Sequence, residues 1–121
     1  LDKVAKNLPI EIWGDGNVVR DYIYISDLVE GIWKAANTKT CSHIFNFGTG
    51  QGHSLNKIIG AIQKTTGLEV KVIYKEKRAF DVPEIYLDIS RAQKELKWKP
   101  KVSLDSGIEK TWESILELQN K

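Results

Sequence analysis

Three stretches of this chain carry residue types that could hold an anion or a nucleotide. "GDGNVVRD" (Gly14–Asp21) sets two glycines and an arginine between apolar runs. "NFGTGQGHS" (Asn46–Ser54) places glycines between a strand-like run and a helix-like one. "KEKRAFD" (Lys75–Asp81) is a polar loop holding Arg78 and Asp81. Glycine turns that open a helix can cradle phosphate with backbone N–H groups. An arginine fork gives charge-assisted, often bidentate bonds to a diphosphate. An aspartate can accept both hydroxyls of a cis-diol without a metal. On residue types alone, plainer readings stand beside these. Arg20 next to Asp21 could form a surface pair worth well under ~1 kcal/mol. Arg78, after Lys75 and Lys77, could be solvated loop.

The glycines do not complete a dinucleotide fingerprint. After Gly14 and Gly16 the third position is Val19, and after Gly48 and Gly50 it is His53. Where an acid should meet a ribose the chain reads "EVKVIYKEK", in which Glu76 lies late and in a charged loop. Turns need glycine for their own backbone, and that explains both stretches. No P-loop pattern and no nucleophile elbow occurs. His43, His53 and Cys41 do not make a metal-ligand set. His43 opens an apolar run and reads as packed, and the four tryptophans read as core.

The elements that must position these residues follow from periodicity. Leu1, Val4 and Leu8 share a helical face, and Pro9 ends it. "IEIW" alternates as a half-buried strand, "DGN" is a turn, and "VRDYIYI" is a second strand. Asp27 and Glu30 have capping-box spacing, and that cap suffices to explain Asp27. Leu28, Val29, Ile32, Trp33 and Ala36 then form a helix stripe as far as Asn37. "HIFNF" reads as a third strand. Ser54 caps a helix carrying Leu55, Ile58, Ile59 and Ile62, which Gly67 closes. "EVKVIY" is a strand and "EIYLD" a short strand or extended segment. Asp88 or Ser90 caps a short helix through Leu96, with Pro100 beyond it. Ser103 caps a last helix with Leu104, Ile108, Trp112, Ile115 and Leu116 inward. Strands alternate with helices, so the class is α/β.

Taken in order, "PIEIWGDGNVVRDYIYISDLVEGI", "HIFNFGTGQGHSLNKII" and "KRAFDVPEIYLDISRAQKELKWKP…SLDSGI" resemble one known architecture. They are similar to the carboxyl-terminal part of extended short-chain dehydrogenase/reductases, most of all NAD-dependent nucleotide-sugar epimerases of the UDP-glucose 4-epimerase type. The resemblance implies a small mixed α/β substrate-binding region lacking the Rossmann core, with residues 1–121 as the carboxyl-terminal domain of a longer chain. NAD and the Tyr-x-x-x-Lys catalytic pair would belong to an absent amino-terminal Rossmann domain. None of Tyr22, Tyr24, Tyr74 and Tyr86 is followed four positions on by lysine. This chain would hold no catalytic, cofactor-binding or metal-binding residue and would be inactive alone. The family pattern assigns Arg20 and Arg78 to the diphosphate and Asp81 to the ribose hydroxyls. It lays the segment of Glu11 and Trp13 against the uracil. Phe80 stands where the family carries glycine. The implied partners are a UDP-sugar and the chain's own amino-terminal domain, with the full-length protein a homodimer. A 4,6-dehydratase, decarboxylase or reductase would use a similar grip, and a non-catalytic nucleotide-sugar binding or interaction module is the remaining alternative.

Bulk properties fit one domain. The chain has 121 residues, 41% of them hydrophobic and 28% charged. A net charge of +2 does not suggest nucleic acid or a membrane surface as partner. No apolar run approaches the ~20 residues of a membrane span, and nothing resembles a signal peptide. The single cysteine makes a reducing, cytoplasmic setting the expectation. The chain has no methionine and its opening residues read as a helix entered partway along, so it is expected to be a piece of a longer protein, with part of the Leu28–Ala36 helix packed on the missing portion.

Overall fold

The computed structural model describes residues 1–119. In chain order the elements are α1 (Asp2–Ala5), β1 (Ile10–Trp13), β2 (Val19–Asp21), α2 (Ile25–Asn37), β3 (Gly52–Ser54), α3 (Leu55–Thr66), β4 (Val72–Lys75), α4 (Ser90–Leu96) and α5 (Leu104–Gln119). They confirm a mixed α/β region with small sheets. β1 pairs parallel with β4 in the register Ile10–Val72 to Trp13–Lys75. β2 pairs antiparallel with β3, Arg20 opposite His53. A single parallel bridge from Val19 to Glu84 ties the loop after β4 to β2.

Alternation in β1 turns Ile12 into the interior and leaves Glu11 and Trp13 exposed. Ile10 packs against a core of Val4, Ile62 and Ile108 from α1, α3 and α5, with Val70 from the segment before β4. A second core gathers Ile89, Ala92, Leu96 and Trp98 around α4, with Phe45, Phe47 and Ile23 against it. The caps of α3 are those the sequence expects. Ser54 Oγ accepts from Lys57 N at 3.2 Å, and Gly67 closes the helix in the left-handed region with φ 68°. Ser103 Oγ likewise accepts from Ser106 N at 3.3 Å at the start of α5.

Several expectations give way. α1 ends at Ala5, Asn7 turns to a left-handed φ of 55°, and Leu8 is exposed. β2 stops at Asp21 because the chain must enter α2, whose N-cap position is Tyr24. Asp27 is not a cap. Its carboxylate is 3% exposed and accepts from Lys101 N and Val102 N, each at 2.9 Å, while its carbonyl accepts from Trp98 Nε1 at 3.0 Å. The amides that follow Pro100 need a buried acceptor, and that long-range demand outweighs local capping. Glu30 binds Lys101 and Lys34 instead of completing a capping box.

"HIFNF" forms no strand among the described residues. Phe45 and Phe47 pack on the second core, Phe47 meeting Trp98 edge-on at 5.0 Å, and His43 is exposed rather than packed. Of the tryptophans only Trp98 is fully buried; Trp33 is 68% exposed. At the end of α5, Leu116 is exposed. No helix among the described residues is long and apolar enough to cross a membrane.

Candidate functional site

The outward face of β1 carries Glu11 and Trp13 beside β4. Glu11 pairs with Lys75 at 3.7 Å, and Gly14 N donates to Lys75 O at 3.0 Å where the two strands end. The loop leaving β4 then brings Arg78 back over Trp13. The guanidinium carbon lies 5.5 Å from the Trp13 ring centroid and 5.5 Å from that of Phe80. Arg78 Nε donates to Asp81 Oδ2 at 3.0 Å, closing a short turn. Asp81, its side chain only 15% exposed, borders a cavity of about 110 Å³ with Gly14, Asp15 and Pro83. Four of the five residues expected at the site, Glu11, Trp13, Arg78 and Asp81, therefore share one corner.

Arg20 is linked to that corner only through the backbone of its neighbour Val19 and lies opposite His53. Val19 N donates to Pro83 O at 2.9 Å and Ile85 N donates to Val19 O at 3.1 Å, so β2 is fastened just past Asp81. The Arg20 guanidinium gives one Nη to Val19 O at 2.7 Å. It does not pair with Asp21, which rules out the local ion pair.

Asp21 has a different task, one that sequence reasoning missed. Its Oδ1 accepts from Thr49 N at 2.8 Å and Thr49 Oγ1 at 2.5 Å. Its Oδ2 accepts from Gly50 N at 3.0 Å and Leu87 N at 3.3 Å. Burial pushes this carboxyl up, but the bonds from Thr49, Leu87 and Gly50 outweigh it and hold it below the usual carboxylate range. The glycines serve this contact: a Cβ on Gly48 would lie 2.5 Å from Asp21 Oδ2. The backbone N–H groups of "GTG" thus bind an anion, and the anion is the protein's own. The only sequence signal was a strand carboxylate placed before a glycine turn. The first glycine turn is likewise structural. Gly16 has φ 79°, and Asn56 N donates to its carbonyl at 3.1 Å.

A larger cavity of about 400 Å³ opens between α3 and α5, lined by Tyr22, His53, Lys57 and Ser103 among others. Burial raises the Tyr22 phenol, which the charge of Arg20 partly offsets. His53 Nδ1 is buried there without a hydrogen-bond partner among the described residues. No group of three or more metal-ligating side chains occurs among the described residues.

A family model described as GDP-mannose 4,6 dehydratase matches residues 2–111. dTDP-4-dehydro-6-deoxyglucose reductase of Escherichia coli is 37% identical over 115 residues, 95% of this chain and 36% of that protein. The crystal structure of UDP-glucose 4-epimerase from Thermotoga maritima with UDP-glucose superposes with a TM-score of 0.90 at 33% identity, covering 98% of this chain and 38% of that one. UDP-glucuronic acid 4-epimerase from Bacillus cereus, in complex with UDP-glucuronic acid and NAD, gives 0.88 at 28% identity over 97% of this chain and 38% of that one. The chain spans about a third of the length of the curated relatives it matches.

Proposed function

We propose, from the premise that this chain belongs to the GDP-mannose 4,6 dehydratase family of extended short-chain dehydrogenase/reductases, that it is the nucleotide-diphosphate grip of a UDP-sugar 4-epimerase. The observation that carries this reading is the corner where Arg78, Asp81 and Trp13 meet, with Arg20 fastened beside it by the Val19–Pro83 bond. Arg20 and Arg78 take the diphosphate, each charge-assisted bond contributing about 1.5–3 kcal/mol. Asp81 keeps Oδ1 for ribose hydroxyls while Oδ2 holds Arg78. Glu11 and Trp13 edge the nucleobase.

The chain's own residues do not fit NAD. The one glycine turn in dinucleotide context has its N–H groups committed to Asp21, so the cofactor belongs to the amino-terminal portion of a longer parent enzyme. This portion anchors the unreacting part of the substrate, and that binding energy positions the sugar for chemistry carried out elsewhere. By itself the chain is inactive, and the parent acts as a homodimer.

Calorimetric titration with UDP tests the grip. The chain should bind UDP, and Arg20→Ala with Arg78→Ala should abolish the heat; equal binding by the double variant would sink the assignment. Similarity to the Escherichia coli reductase favours one second reading, the same grip on a deoxythymidine sugar nucleotide. Tighter binding of UDP than of dTDP, which lacks the 2′-hydroxyl Asp81 would hold, supports the epimerase; the reverse order supports the reductase.

A further inference from the structure

Phe80 is 79% exposed and belongs to neither of the two cores among the described residues. Its ring nevertheless has a partner. The Arg78 guanidinium lies within cation–π range of both Phe80 and Trp13, at 5.5 Å from each centroid. Nε is spent on Asp81 at 3.0 Å. A guanidinium faced by two rings and tethered at Nε has little freedom left in its long side chain, and its Nη groups remain available to a ligand. A glycine at position 80 could supply neither the ring nor the restraint.

We propose that Phe80 is a positioning residue that, with Trp13, presets Arg78 for a diphosphate before the ligand arrives. The inference rests on the grip described above. Preorganisation lowers the ordering cost of binding, so removing the ring should weaken the ligand through Arg78 and through nothing else.

The test is a double-mutant cycle of Phe80→Leu and Arg78→Ala, titrated with UDP and with inorganic pyrophosphate. Phe80→Leu should weaken both ligands by the same factor, about two- to fivefold for an exposed cation–π contact, and Phe80→Tyr should restore affinity. In the Arg78→Ala background Phe80→Leu should change nothing. A loss confined to UDP, or one that persists without Arg78, would mean that the ring touches the base directly and overturns the proposal. A ligand-free readout keeps it separate from the grip itself. The Arg78 Nε–H resonance should carry a ring-current shift that Phe80→Leu reduces. If that shift is absent, the stack is wrong even where UDP binds; if it is present and UDP does not bind, the grip fails and takes this role with it.

Discussion

Replacing Asp21 by Asn keeps the side chain's shape and removes its charge, and the geometry dictates a large effect. Both carboxylate oxygens are in use, Oδ1 by Thr49 and Oδ2 by Gly50 N and Leu87 N. An amide presents one acceptor and one donor. Whichever way it turns, at least one backbone N–H meets another donor. Losing the charge-assisted bonds and orphaning that N–H costs about 2–4 kcal/mol, a substantial share of the roughly 5–15 kcal/mol that holds a typical domain together. Urea unfolding should show the midpoint falling with the slope unchanged. The pH dependence supplies a second, signed check. Asp21 has its folded-state pKa lowered, so its stabilisation is complete above the unfolded carboxylate's value of about 3.9 and is lost as pH falls through the folded value. The gap between parent and Asp21→Asn should therefore be widest near neutrality and narrow below about pH 4. A variant within about 0.5 kcal/mol of the parent at neutral pH would refute the four-donor account, since changes that small are typical of uninvolved surface sites.

Asp27 should behave in the opposite way under the same substitution. Both of its backbone donors converge on Oδ2, so Asp27→Asn can turn its carbonyl toward them and lose about 1 kcal/mol or less, whereas Asp27→Ala orphans both and should cost about 3 kcal/mol in the same urea assay. The exposed apolar stripe of α2 should drive self-association, which sedimentation would detect as a concentration-dependent mass and which Val29→Lys with Trp33→Lys should suppress; a strictly monomeric parent at high concentration would count against it.

Local chemistry was legible in the sequence wherever one residue type settles a local question. Ser54, Gly67 and Ser103 cap helices as their types demand, and alternation in "IEIW" gives the buried and exposed faces of β1. What escaped was every decision taken over long range. Asp27 has capping-box spacing, yet it is buried against a segment more than seventy positions away. Asp21 looked like the neighbour of Arg20, yet it gathers donors from two distant loops. "HIFNF" has strand composition, but composition cannot supply the ladder partner that a strand requires. The candidate site was legible only as a pattern of motifs; what structure adds is the approach of Arg78 to two rings, Trp13 and Phe80.

Helix α2 divides its faces in an unusual way. Its buried positions are Asp27 and Gly31, one turn apart, with Ala35 packed against the second core and Phe47 pressed so close that a Cβ on Gly31 would lie 2.6 Å from its ring. Of its five large apolar side chains Leu28 is partly buried, while Ile25, Val29, Ile32 and Trp33 are more than half exposed. The helix is thus inverted, with a small and polar stripe inward and an apolar stripe outward. The inward stripe is fully explained, because close approach to Phe47 requires glycine and the amides after Pro100 require a carboxylate. Among the described residues nothing covers the outward stripe, and a continuous apolar face of this kind in water is the mark of a surface meant to be covered. It is the face that the proposed grip would offer to the rest of its enzyme. The same helix, through Asp27, holds the segment from Trp98 to Val102 that leads into α5, so the covering of one face and the order of the other should be measurable together.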